Sequence, residues 1–154
     1  CNWLHVFLVI ALLYLSVFLF LDQLITRPVA EWLSLELNSW REQSIDRDIH
    51  LAGKSGVPFL WIQWLFIGCI GPIAEEFLFR GLLQGIMSKV FGSWLGIIVP
   101  ALLFALFHID LALLAPLFVL GLILGWLRYY FGVLWIPILF HILNNSVSLM
   151  MDIW

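Results

Sequence analysis

Gly71–Gly81 reads GPIAEEFLFRG, and it sets Glu75, Glu76 and Arg80 inside a sequence that is otherwise almost wholly apolar. On insertion scales, a charge at the centre of a membrane-spanning helix costs about 2.5–3.5 kcal/mol, so such a cluster needs a reason. On a helix, Glu76 and Arg80 stand at i and i+4 and can pair on one face. Glu75 is turned from Glu76 by about 100° and points to a neighbouring helix. Arg80 thus neutralises one carboxylate locally. Glu75 is left without a local partner and is the candidate for chemistry.

The surrounding composition fixes the class. The chain has 154 residues, of which 64% are hydrophobic and 11% charged, and its mean hydropathy is +1.07. A soluble domain of this size cannot hide that much apolar surface, so the expected fold is all-α, a polytopic transmembrane helical bundle. The formal charge of −3 excludes the basic balance of a nucleic-acid binder. Cys1 and Cys69 are too few for a disulfide framework, and Cys69 reads as a small core residue. The chain opens at Cys1 with no basic region before its first apolar run, which reads as a fragment rather than an intact signal peptide.

About five spans are expected, in one membrane domain over residues 1–154. The first is the apolar run up to residue 21, with His5 at the interface. Residues 22–56 form a charged linker holding ten of the seventeen charged residues, which places it outside the bilayer. Within it Val29, Leu33, Leu37 and Trp40 recur at helical spacing behind Pro28, predicting an interfacial amphipathic helix. His50 belongs to its solvated part. Residues 57–154 form the helical core. Val57–Lys89 is expected as one long helix or two, kinked at Pro72. Spans over Trp94–His108, Leu111–Trp126 and Val133–Met151 follow. Pro100, Pro116 and Pro137 fall within them, where neighbouring helices tolerate proline. Trp94 and Trp126 mark one interface, Trp61 and Trp154 the other. Gly121 and Gly125 form a GxxxG pair suited to close helix packing.

Three more polar residues lie deep in the later spans: His108, one turn after Phe104, and His141 with Asn145, again at i and i+4. Polar groups on three spans point to a shared site. Counting 1.5 Å per residue from the turns on the Lys89 side, Glu75 and His108 lie about 21 Å deep, His141 about 14 Å and Asn145 about 20 Å. A dry glutamate beside a histidine can activate water, while a second histidine and an amide can stabilise an oxyanion. That is equipment for water attack on an amide. There is no HExxH pair and no Gly-x-Ser-x-Gly elbow, and Ser146 and Ser148 have no evident partner base. The set needs no cofactor. Glu75, His108 and His141 with a water would also satisfy a catalytic zinc pattern, so a metal site stays open as the alternative.

These motifs, EExxxR (Glu75, Glu76, Arg80), FxxxH (Phe104, His108) and HxxxN (His141, Asn145), resemble in kind and order the CAAX protease and bacteriocin-processing membrane endopeptidases, also called the Abi family. The resemblance runs from about Cys69 to Ser146. It implies that Glu75 and His108 activate water, that His141 and Asn145 stabilise the oxyanion, and that Glu76, Arg80 and Phe104 support them. It implies an intramembrane endopeptidase acting on a peptide or protein substrate, membrane-anchored or prenylated. The alternative is a non-proteolytic immunity or regulatory protein of the same fold. The other partner is the lipid bilayer; no nucleic acid is expected. Arg27, Arg41, Arg47 and Lys54 outnumber Lys89 and Arg128, so the linker is expected on the cytoplasmic side of the plasma membrane, with the site opening beneath it.

Overall fold

The computed structural model describes residues 3–34, 43–44, 47, 50–51 and 61–153. Among them there is no strand. Helix α1 (Trp3–Leu21) is followed by a π-helical turn at Asp22–Thr26 and by the short α2 (Arg27–Trp32). The core comprises α3 (Trp61–Phe91), α4 (Ser93–Phe107), α5 (Leu114–Phe131) and α6 (Trp135–Ile153). By length and composition α1, α3 and α5 can each cross a membrane, while α4 and the Trp135–Met151 part of α6 are shorter apolar helices. The outside of the bundle is studded with exposed Leu, Ile, Phe and Trp side chains. Such a surface is a liability in water but the expected one in lipid. This is an integral membrane protein.

The helices run alternately from one end of the bundle to the other. At one end the Trp3 and Trp135 rings meet at a tilt, their centres 5.1 Å apart, and His5 lies against Tyr130 and Phe131. Lys89 and Arg128 occupy the last turns of α3 and α5 at this same end. At the other end Leu21 leaves α1 and Trp61 enters α3. The buried core joins Val6, Phe79, Phe104, Leu120, Leu124, Leu127, Ile136 and Phe140. Only Val6 of α1 is buried, so the first helix packs on the outside of the core rather than within it.

Several boundaries differ from the expected ones, for local reasons. Proline lacks an N–H and crowds the carbonyl four residues back. Pro72 does not break α3. The backbone instead widens to π-helix over Trp64–Ile70 and again over Phe77–Leu83, flanking the α-helical Gly71–Glu76. Pro116 and Pro137 lie in the first turns of α5 and α6 rather than inside spans; there a missing N–H costs little. Helix α5 runs on to Phe131 and ends at Gly132 in the left-handed conformation, φ 72°, so Trp126 lies inside the helix, stacked on Tyr130 at 5.0 Å. Helix α2 stops at Trp32 and Ser34 takes a positive φ of 52°. The Leu37 and Trp40 positions of the expected linker helix lie outside the described residues, as does Trp154. Cys69 is only half-buried.

Small residues set the helix approach. A Cβ on Gly121 would stand 3.0 Å from Ala101 of α4, and one on Gly125 3.0 Å from Ile97, which is the close packing expected of the GxxxG pair. The tightest crossing joins α3 and α4. There a Cβ on Gly96 would overlap Ser88 Oγ and fall 2.8 Å from Ser88 Cα. Since the obstacle includes backbone, Gly96→Ala is expected to cost about 1–3 kcal/mol through overpacking. A thermal melt in detergent checks it, and an unchanged melting temperature would mean the hairpin can open freely.

Candidate active site

Helix α3 supplies a polar stripe at i, i+4 and i+8. Glu76 and Arg80 are buried at 0% and 1% exposure and joined by a 2.8 Å bond from Arg80 Nη1 to Glu76 Oε1. The local pair read from their spacing is therefore present. Arg80 Nη2 donates to the Gly121 carbonyl at 3.1 Å, and the guanidinium lies 4.5 Å from the Phe104 ring centre. One turn on, Gln84 Nε2 donates to the Gly125 carbonyl at 2.9 Å. The glycines thus do two jobs, letting α4 approach on one side and exposing carbonyls to α3 on the other. Gln84 was not among the residues singled out in the sequence, although its i+4 spacing from Arg80 carries the signal.

His141 of α6 joins this stripe. Its Nδ1 lies 3.0 Å from Glu76 Oε1, and because a carboxylate only accepts, Nδ1 is the donor. Its Nε2 lies 3.7 Å from Glu75 Oε2. One imidazole therefore stands between the two adjacent carboxylates. Glu76 is sealed behind it with Arg80, while Glu75 keeps 20% of its side chain exposed. The two glutamates, neighbours in sequence, are thereby divided into a sealed carboxylate and a part-exposed one.

His108 terminates α4. Its Nδ1 is 2.8 Å from the Phe104 carbonyl, so Nδ1 carries the proton and Nε2 is the ring's acceptor. The next residue, Ile109, holds a positive φ of 52°, an unfavourable conformation for a β-branched side chain. Asp110 Oδ1 then accepts from Ala112 N–H at 3.0 Å and turns the chain towards α5. Fully buried Phe104 sits edge-on to both histidines, 4.8 Å from His108 and 5.6 Å from His141. Its ring spaces the two imidazoles and faces Arg80 as well.

Asn145 of α6 donates from Nδ2 to the Ile67 carbonyl of α3 at 3.1 Å. Next to it the Trp64 indole donates to Ser146 Oγ at 3.1 Å. These two bonds fasten α6 to the first half of α3; the spacing of residues gave no sign of either partner. His108, His141 and Asn145 all line one cavity of about 510 Å³. Tyr14, Leu21 and Thr26 of the α1 end also line it, so it lies at the end of the bundle from which the charged linker departs. Irregular backbone at membrane depth is tolerated where it borders such a cavity, as the broken end of α4 at His108 does.

A zinc ion needs three protein ligands converging on one point. Among the described residues no three His, Cys, Asp or Glu groups come together at metal-ligand spacing.

The sequence model of the family described as type II CAAX prenyl endopeptidase Rce1-like matches residues 57–147, more than half of the chain. An uncharacterized 24.3 kDa protein of Escherichia coli is 35% identical over 109 residues, covering 65% of this chain and 48% of the relative. The chain thus spans about half the length of that curated relative. No solved structure matches.

Proposed function

Because the chain belongs to the type II CAAX prenyl endopeptidase (Rce1-like) family, we propose that it is an intramembrane endopeptidase that hydrolyses a peptide bond with activated water. The observation that carries the proposal is the meeting of three helices, with His108, His141 and Asn145 on one cavity and Glu75 against His141. In the proposed reaction Glu75, assisted by His108 Nε2, takes a proton from water as its oxygen bonds to the peptide carbonyl carbon. His141, carrying a proton on each ring nitrogen with Nδ1–H held by Glu76, donates from Nε2 to the oxyanion, and so does the second Nδ2 proton of Asn145. Collapse of this intermediate breaks the C–N bond, and the proton held on the glutamate passes to the leaving amine. Glu76 and Arg80 hold His141 in place throughout.

The family description makes a peptide with a prenylated cysteine near its C-terminus the first substrate to offer. Purified protein in nanodiscs is expected to cleave a farnesylated CAAX peptide or a member of a membrane-peptide library, read by mass spectrometry. No cleavage of either, or equal cleavage by Glu75→Gln protein, would overturn the proposal.

The proposed orientation places the linker and the cavity mouth at the cytoplasmic face of the plasma membrane, following the lysine and arginine balance. Single cysteines at Ser44 and Val90, in a background lacking Cys1 and Cys69, report it through labelling of intact cells with a membrane-impermeant thiol reagent. Labelling is expected at Val90 and not at Ser44; the reverse pattern would invert the topology.

A further inference from the structure

Asn145 is useful only if its amide is held still, and the group that holds it is a carbonyl without a helical partner. In an α-helix the Ile67 carbonyl would accept from the N–H of Gly71, four residues on. That N–H instead donates to Phe66, five residues back, because the backbone over Trp64–Ile70 is π-helical. In the π register Ile67 would accept from residue 72. Residue 72 is proline and has no N–H. The Ile67 carbonyl is therefore orphaned in both registers, and a part-buried carbonyl inside a membrane bundle still needs a donor. It takes Asn145 Nδ2 at 3.1 Å. Gly68, one residue on, keeps this surface low: a Cβ there would stand 3.4 Å from Ser146 Oγ, beside Asn145.

We propose that Pro72 is a positioning residue, whose missing N–H frees the Ile67 carbonyl to fix the Asn145 amide in the cavity. One amide proton is used for this anchor. The other is thereby aimed, since the two N–H bonds of a planar amide keep a fixed angle. Fully buried Pro72 touches neither the cavity nor the reacting atoms. Its effect passes through one hydrogen bond. The link to catalysis rests on the proposed endopeptidase function, whereas the link from Pro72 to Asn145 does not.

The test replaces Pro72 in two ways. Pro72→Ala supplies an N–H that can satisfy Ile67 and release Asn145. Pro72→lactic acid, the α-hydroxy analogue of alanine, has the same side chain but an ester oxygen in place of the N–H. With the cleaved farnesylated peptide as probe, Pro72→Ala is expected to lower kcat about 10–10²-fold, with KM within about twofold. Its melting temperature should hold or rise, since an interior proline is removed from a helix. The lactic acid variant should recover most of kcat. Pro72→Ala combined with Asn145→Ala should be no slower than Asn145→Ala alone. A readout independent of cleavage comes from asparagine-selective ¹⁵N labelling, with the Asn145 side-chain signals assigned by their loss in Asn145→Ala. Pro72→Ala should shift them and the lactic acid variant should restore them. If the signals behave so while the wild-type protein cleaves nothing, the anchor stands and the protease reading fails. Unmoved signals, additive losses, or equal kcat loss in both Pro72 variants would overturn the proposal.

Discussion

Glu75→Gln is expected to lower the cleavage rate by about 10²–10⁴-fold, the usual contribution of a positioned general base, with no fall in melting temperature. The substitution keeps the shape of the side chain and removes only its ability to take a proton. Glu75 is one-fifth exposed, and His141 Nε2 stands 3.7 Å from its Oε2, beyond a close hydrogen bond. Losing so loose a pair should leave folding intact. The adjacent Glu76→Gln is the informative control. Glu76 is sealed at 0% exposure and its Oε1 takes bonds from both Arg80 and His141, so the same chemical change one residue later should destabilise the bundle. Activity in Glu75→Gln protein would remove Glu75 from water activation. A melting temperature lowered as far as that of Glu76→Gln would make it a structural residue.

Arg80→Ala is expected to cost about 3–5 kcal/mol, the range for breaking one partner out of a buried ion pair. Three consequences add together. Glu76 keeps a buried charge with its cation removed, the Gly121 carbonyl loses its donor, and the Phe104 ring loses the guanidinium stacked 4.5 Å from its centre. Against a total folding stability of about 5–15 kcal/mol, such a loss should appear as poor expression and a much lower melting temperature. Arg80→Lys should recover only part of it. A single ammonium cannot reproduce the planar fork that reaches Glu76 and Gly121 together. Thermal melts of both variants in detergent decide the matter. An Arg80→Ala protein that is inactive yet as stable as wild type would move Arg80 from the brace into the reacting set.

The sequence by itself determined what depends on spacing along one helix or on the length of an apolar run. The Glu76–Arg80 pair, the placing of Phe104 beside His108 and the order of the apolar helices all follow from 1.5 Å and 100° per residue. The GxxxG contact also belongs here, because only small side chains admit a helix so close. What the tertiary structure decided is how each helix is rotated about its own axis. Helices that are apolar nearly all round carry no stripe to reveal that rotation. Hence only the fold shows that His141 lies between Glu75 and Glu76, or that Gln84 reaches the Gly125 carbonyl. The anchoring of Asn145 needed still more. It depends on a π-helical register set around Pro72 and on a carbonyl that this register leaves over, and a backbone acceptor has no letter in the sequence.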